Sequence, residues 1–169
     1  MIRPILRYGD PILHHPAAPV DGLTAQTQRL IDDMIETMYA APGIGLAAPQ
    51  IGEPLRIFVV DLSVGRASGD LIVLVNPEIV EHDGMQLETE GCLSLPGFEA
   101  TVVRPARIVV RGFDREGRER RVEGTGLLAR ALQHELDHLE GRLFVDRLRG
   151  IQRDLIVRRI RKLRRAGRW

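Results

Sequence analysis

Nine residues, Gln133-His134-Glu135-Leu136-Asp137-His138-Leu139-Glu140-Gly141, constrain this chain more than any other stretch. With 3.6 residues per helical turn, His134 and His138 stand one above the other on one face, so both imidazoles can reach a single divalent ion. Glu135 then lies beside the first ligand, where its carboxylate can take a proton from a water that the ion activates. The flanks agree with one short, buried helix. Thr125 and Gly126 mark its start, Leu127, Leu128, Ala131, Leu132, Leu136 and Leu139 recur at helical spacing, and Gly141 is placed to stop it. Two histidines and a glutamate at these offsets also arise by chance in about 1% of chains this long and this poor in histidine, so the rest of the sequence has to decide.

A hydrolytic site of this type holds three protein ligands and leaves one position open. Peptidases that extend the motif to His-x-x-Gly-x-x-His are matched through Gly141, after which Phe144 stands where the third histidine belongs. Peptidases that take a glutamate from a later helix are not matched either, because no Glu follows Glu140 and the only later acids are Asp146 and Asp154. Upstream stands Cys92, the single cysteine, within Glu90-Gly91-Cys92-Leu93-Ser94. A lone cysteine is by default a small buried apolar residue. Beside two histidines that lack a partner, its thiolate completes a Cys/His/His set with one open position, which suits zinc or ferrous iron. Iron next to an accessible thiolate is easily lost to oxidation.

A third segment, Gly43-Ile44-Gly45-Leu46-Ala47-Ala48-Pro49-Gln50, matches the dinucleotide-binding fingerprint at Gly43, Gly45 and Ala48. That fingerprint must follow a strand and open a helix. Here residues 24 to 41 before it read as a helix, with Thr24 as N-cap and Ile31, Met34, Ile35 and Met38 on one face, and Pro49 blocks a helix after it. The segment is better read as a glycine-rich loop that lets backbone approach a substrate and ends in Gln50, whose amide can donate to an oxyanion.

The segments Gly43 to Gln50, Glu90 to Ser94 and Gln133 to Gly141 resemble the three motifs of the peptide deformylase family, in its order and at its spacing, and the similarity extends over most of residues 1 to 146. The resemblance implies a hydrolase that removes the formyl group from the N-terminal formyl-methionine of newly made bacterial and organellar proteins, releasing formate. It implies Cys92, His134 and His138 as metal ligands and Glu135 as general acid and base. Gln50 and the backbone N–H of Leu93 would donate to the oxyanion next to Gly45, while Ile44, Gly45, Glu90 and Leu127 would adjoin the substrate. The implied cofactor is one divalent metal per chain, Fe2+ in cells, with Zn2+, Ni2+ or Co2+ able to substitute. The implied partners are N-formylmethionyl nascent peptides, with no membrane and no specific DNA among them. A formyl carbon carries only hydrogen, so a narrow wall at the metal would reject larger acyl groups by clash.

Three further residues are open to reading. Arg130 stands near the expected methionine pocket and is expected to point to solvent, its alkyl stem tolerating partial burial. Phe98, in Leu95-Pro96-Gly97-Phe98-Glu99-Ala100, either lines the cleft or fills the core. Glu90 is expected to pair with Arg104, because a carboxylate beside a metal ligand needs a partner.

A chain of 169 residues can bury a core without staples, and one Cys excludes an internal disulfide. No apolar run approaches the roughly 20 residues that span a bilayer, and Met1-Ile2-Arg3-Pro4 lacks a signal-peptide core, so the bacterial cytosol is the expected compartment, with an organelle after loss of a presequence as the alternative. Arg56 to Leu62 and Leu71 to Val75 read as strands, and Arg107 to Phe113 and Arg118 to Val122 flank Asp114-Arg115-Glu116-Gly117 as a hairpin. The expected fold is α+β: mostly antiparallel strands packed around a central metal-binding helix, with a C-terminal helix. Residues 1 to 146 are expected to form the catalytic unit. Residues 147 to 169 hold ten Arg or Lys against Asp154 alone, whereas the preceding residues hold fourteen basic and twenty-two acidic. Leu148, Ile151, Leu155, Ile156, Ile160 and Leu163 give this tail an apolar side for docking on the catalytic unit. Its basic face is either a solvated surface or a contact for the ribosome near the exit tunnel, one that salt would weaken.

Overall fold

Three α-helices and seven strands follow one another in the computed structural model, which describes residues 1–169: α1 (Ala25–Ala40), β1 (Gly45–Ala47), β2 (Ile57–Val60), β3 (Ile72–Asp83), β4 (Gln86–Gly91), β5 (Glu99–Arg104), β6 (Arg107–Phe113), β7 (Glu119–Thr125), α2 (Gly126–Leu139) and α3 (Ile151–Arg165). Five strands make an antiparallel sheet in the order β1-β2-β3-β6-β7, and β4 pairs with β5 in a separate antiparallel ribbon.

Strand β2 explains the layering. All four of its side chains are buried. Successive side chains on a strand point to opposite faces, so an unbroken apolar run needs cover on both. Phe58 and Val60 pack with Leu132, Leu136 and Leu139 of α2, while Ile57 and Val59 pack with Ile31, Met34 and Met38 of α1. The sheet therefore separates the two helices. The β4–β5 ribbon closes over α2 from the other side, where Glu90, Val102 and Arg104 bond to its side chains. The α+β architecture with strands around α2 is the one expected.

Several boundaries follow local chemistry. The Thr24 side chain caps α1 by accepting from the Thr27 N–H. At the start of α2 Thr125 occupies the N-cap position without a side-chain bond. Its stop is Gly141, at φ +77, where an added Cβ would sit 2.7 Å from the His15 carbonyl carbon, so only glycine fits. In the β6–β7 hairpin Asp114 accepts from the N–H groups of Glu116 and Arg118.

Other boundaries differ from the sequence reading. Strand β3 continues to Asp83, well past Val75, since its outer half carries the exposed residues Glu78, Glu81, His82 and Asp83 that leave no apolar signature. Helix α3 docks through Ile156, Val157 and Ile160 on a cluster containing Leu13, Leu95, Phe144 and Val145. Ile151 and Leu155 do not join that face and remain 74% and 58% exposed. At about 100° per residue they lie roughly 180° and 140° round the helix from Ile160. No helix is long and apolar enough to cross a membrane.

Candidate metal centre

Strand β4 ends at Gly91 and hands Cys92 to a turn in which the Cys92 carbonyl accepts from Leu95 N–H. The turn brings the sulfur to the inner face of α2. Cys92 Sγ lies 3.4 Å from His138 Nε2, His138 Nε2 lies 3.2 Å from His134 Nε2, and the three candidate ligand atoms fall within 4.8 Å of one another. A tetrahedral ion with metal–nitrogen bonds of about 2.05 Å and a metal–sulfur bond of about 2.3 Å would separate such atoms by about 3.3 Å (N to N) and 3.6 Å (N to S). The donor set fits a divalent metal.

The imidazoles are prepared for that role. His134 Nδ1 is 2.6 Å from a Glu90 oxygen, so this nitrogen carries the proton and Nε2 keeps its lone pair toward the cluster. Burial, reinforced by His134, holds His138 well below the ordinary histidine range and therefore neutral. Burial works the same way on His134, but the facing Cys92 sulfur and Glu90 outweigh it and raise its pKa.

Glu90 is the hub behind the ligands. Arg104 donates to both of its oxygens, at 2.7 and 2.6 Å, as the sequence led us to expect. Arg130 donates to it as well, at 2.8 Å, and its second terminal nitrogen donates to the Val102 carbonyl at 2.9 Å. This corrects the expectation that Arg130 points to solvent, since the residue is only 4% exposed. The reason is the carboxylate forty positions upstream, which a guanidinium can satisfy inside the protein with its fork of donors. Asp137, Arg147 and Ser94 also went unnoticed in the sequence. Asp137 accepts from both Arg104 and Arg147, tying the ribbon and the segment after α2 to the helix between the two histidine ligands.

Two buried carboxylates therefore sit in opposite environments. Burial alone would raise Glu90, but Arg104 and then His134 hold it well below the usual carboxylate range. Glu135 has no such partner. Burial pushes it up to about 7, with His134 opposing and Glu90 adding to the rise. One oxygen of Glu135 has no hydrogen-bond partner, and the other lies where a Cβ on Gly45 would approach to 2.7 Å. Glycine at position 45 is what leaves room for Glu135.

A cavity of about 500 Å³ opens onto this cluster, lined among others by Ile44, Gly45, Gln50, Phe98, Leu127 and Arg130. The Gln50 side-chain oxygen accepts from Ala47 N–H at 2.9 Å, which turns its amide nitrogen toward Ser94 Oγ at 3.1 Å and Cys92 Sγ at 3.7 Å. The neighbouring Leu93 N–H bonds to no other backbone group, and its side chain packs beneath Gly43. Leu127, 56% exposed, stands at the mouth. Phe98 does both things considered for it, lining the cavity and packing on the cluster that receives α3. Ile44, Gly45, Gln50, Glu90, Cys92, Leu93, Leu127, His134 and Glu135 thus line one opening, with His138 outside that lining, beside Cys92 and His134. The segment read as a glycine-rich loop in fact forms the short edge strand β1 at Gly45–Ala47, since its backbone pairs with β2, and it runs from α1 to a single 3-10 turn at Ala48–Ile51 without the strand-turn-helix setting of a dinucleotide site.

Comparison with known proteins gives the same grouping. The sequence model of a family described as Polypeptide deformylase matches residues 2–154. A peptide deformylase of Acidobacterium capsulatum is 51% identical over 169 residues, covering 100% of this chain and 99% of its own. One from Syntrophobacter fumaroxidans is 52% identical over 158 residues, covering 94% and 93%. The crystal structure of a peptide deformylase from Legionella pneumophila superposes with a TM-score of 0.92 at 46% identity, over 99% of this chain and 98% of that one. Sequence and fold agree along almost the whole length, and the chain belongs to the peptide deformylase family, whose enzymes remove the N-terminal formyl group from newly made polypeptides.

Proposed function

We propose that this chain hydrolyses the formyl group of N-formylmethionyl nascent peptides with one divalent metal held by Cys92, His134 and His138, Fe2+ in the cell and Zn2+, Ni2+ or Co2+ acceptable to the same donors. The observation that carries the reading is the meeting of one sulfur and two Nε2 atoms within 4.8 Å at the foot of the cavity. Bound there, the ion supplies Lewis acidity and a water acidic enough to ionise near neutral pH.

The protein's own groups do the rest. Glu135, with a pKa of about 7 from burial, is the general base that takes the water proton and then gives it to the departing amine nitrogen. The C–N bond of the formamide breaks, and formate and a free methionine amine leave. The Gln50 amide and the Leu93 N–H donate to the former carbonyl oxygen as charge collects on it, and losing one such donor typically costs about 3–4 kcal/mol. Ile44, Leu127 and the Arg130 stem surround the methionine side chain, while Gly45 and Glu90 keep Glu135 and His134 in place behind it. Residues 1–146 form the catalytic unit, and residues 147–169 pack on it as a helix whose exposed Arg158, Arg159 and Arg165 contact the ribosome. The bacterial cytosol is the compartment in which such substrates appear.

Anaerobically purified protein should release formate from formyl-Met-Ala-Ser without cutting its internal peptide bonds. Glu135→Gln should keep its metal and lose about 100- to 10,000-fold in kcat. Full activity in Glu135→Gln, or full metal content in Cys92→Ala, would overturn the assignment. Reversing Arg158, Arg159 and Arg165 to Glu should weaken salt-sensitive co-sedimentation with ribosomes and leave formate release from the tripeptide intact.

A further inference from the structure

Trp169 is the only tryptophan, and it lies beyond α3 and far in sequence from every motif, yet it packs against the wall of the cavity. Its ring meets Phe98 edge to face, with centroids 5.8 Å apart and planes at 72°. The Arg7 guanidinium stands 5.6 Å from the centroid of the indole. The indole N–H donates to the Tyr8 carbonyl at 2.8 Å, and the Tyr8 N–H donates in turn to the Ser94 carbonyl at 2.9 Å. The turn that carries Cys92 and Phe98 is therefore gripped at two points, at Ser94 by Tyr8 and at Phe98 by Trp169. The same indole fastens both.

This matters because Phe98 follows Gly97, at φ +83, in a turn whose backbone is held by the Phe98 N–H donating to the Leu95 carbonyl at 3.1 Å but where the Phe98 ring is only partly buried. The same residue lines the cavity. The edge-to-face contact with the indole favours one position of this partly buried ring. We propose that Trp169 is a positioning residue for substrate binding, setting Phe98 as the wall against which the formylated peptide lies. The inference rests on the deformylase reading above and adds to it a residue that touches neither metal nor substrate.

The test uses the metal-loaded full chain. Trp169→Ala should raise KM for formyl-Met-Ala-Ser by about two- to tenfold while kcat and metal content are held, because what is lost is binding common to ground and transition states. Trp169→Phe keeps the edge-to-face contact without the N–H and should restore most of the KM. In the unaltered protein the emission of the lone indole should change as the product peptide Met-Ala-Ser saturates the cleft, a readout that stands even if Trp169→Ala fails to fold. An unchanged KM in Trp169→Ala, an equal rise in Trp169→Phe, or emission indifferent to Met-Ala-Ser at concentrations that inhibit formate release would each overturn the proposal. Absence of formate release from the unaltered protein would instead strike the deformylase reading itself.

Discussion

Arg104 and Arg107 stand three residues apart at the junction of β5 and β6, and each grips several carboxylates. Arg104 is 2% exposed and holds Glu90 through two bonds and Asp137 through a third. Arg107 is 29% exposed and holds three carboxylates, those of Glu81, Asp83 and Glu123, all at 2.6 to 2.9 Å. By number of carboxylates the second cluster is the richer, at matching distances. It should nevertheless matter far less, because water screens its charges and also solvates them when the pair opens. Charges taken out of water cannot be left alone. The buried arginine also leads somewhere: its partner Glu90 fixes the ring of His134, whereas the partners of Arg107 only join the outer halves of β3 and β7.

The sharpest way to break this contrast is Arg104→Ala. Stripping a buried carboxylate of its main partner should cost about 3–5 kcal/mol in a denaturant melt. Metal affinity should fall about 10- to 100-fold, because the imidazole loses its orienting group. Metal retained during dialysis against a chelator reads the second effect separately from the first. If both stayed at their original values, the hub around Glu90 would have no role in the centre.

A smaller effect is expected from Arg130→Met. Glu90 keeps Arg104, but the buried Val102 carbonyl loses its donor, a loss of about 1–3 kcal/mol. Metal should be retained better than in Arg104→Ala, and the methionine pocket should change its order of preference among formyl-Met, formyl-Leu and formyl-norleucine peptides. A metal loss as large as that of Arg104→Ala would make the two arginines equivalent.

Acid titration sharpens the comparison further. The carboxyl of Glu90 has a folded-state pKa below its ordinary value of 4.5, so the unfolded chain takes up the proton first. Its contribution to stability is complete above that value and is lost as the pH falls toward the folded-state pKa. Melts across this range should therefore show an acid limb, and Arg104→Ala should flatten it, since the carboxyl would then titrate more nearly alike in both states.

The same contrast explains what could be read from the letters. His134 and His138 declare themselves because helical spacing alone puts them together. Cys92 emerges because two common sources of a third ligand are missing, a histidine at the place of Phe144 and a glutamate on a later helix. The hairpin of β6 and β7 is legible in its apolar runs and in the turn from Asp114 to Gly117. The β4–β5 ribbon is not, because the side chains it buries on the helix are Glu90 and Arg104 as well as Val102, and buried ion pairs erase the alternation of apolar and polar residues. Arg130 misleads for the same reason: a charge on a helix is read as facing water unless its distant partner is known. The contact of Trp169 with Phe98 joins positions 71 residues apart with no pattern between them.

The smallest effect should come from Arg107→Ala, and its salt dependence is more telling than its size. Removal leaves Asp83 and Glu123 without the cation between them, while Glu81 keeps only Arg121 at 3.1 Å, so at low salt the variant should melt slightly below the unaltered protein. Raising the ionic strength from about 0.01 to 1 M shortens the Debye length from about 30 to 3 Å, less than the spacing of charges across neighbouring strands. The difference should then vanish. Arg104→Ala should keep its deficit through the same titration, since ions in solution do not reach a carboxylate enclosed between the ribbon and α2. Parallel salt curves for the two variants would mean that depth in the protein does not separate these clusters. Converging curves for Arg107→Ala alone would mean that it does, and that the metal-ligating helix is held by the arginine with fewer carboxylate partners and less water around it.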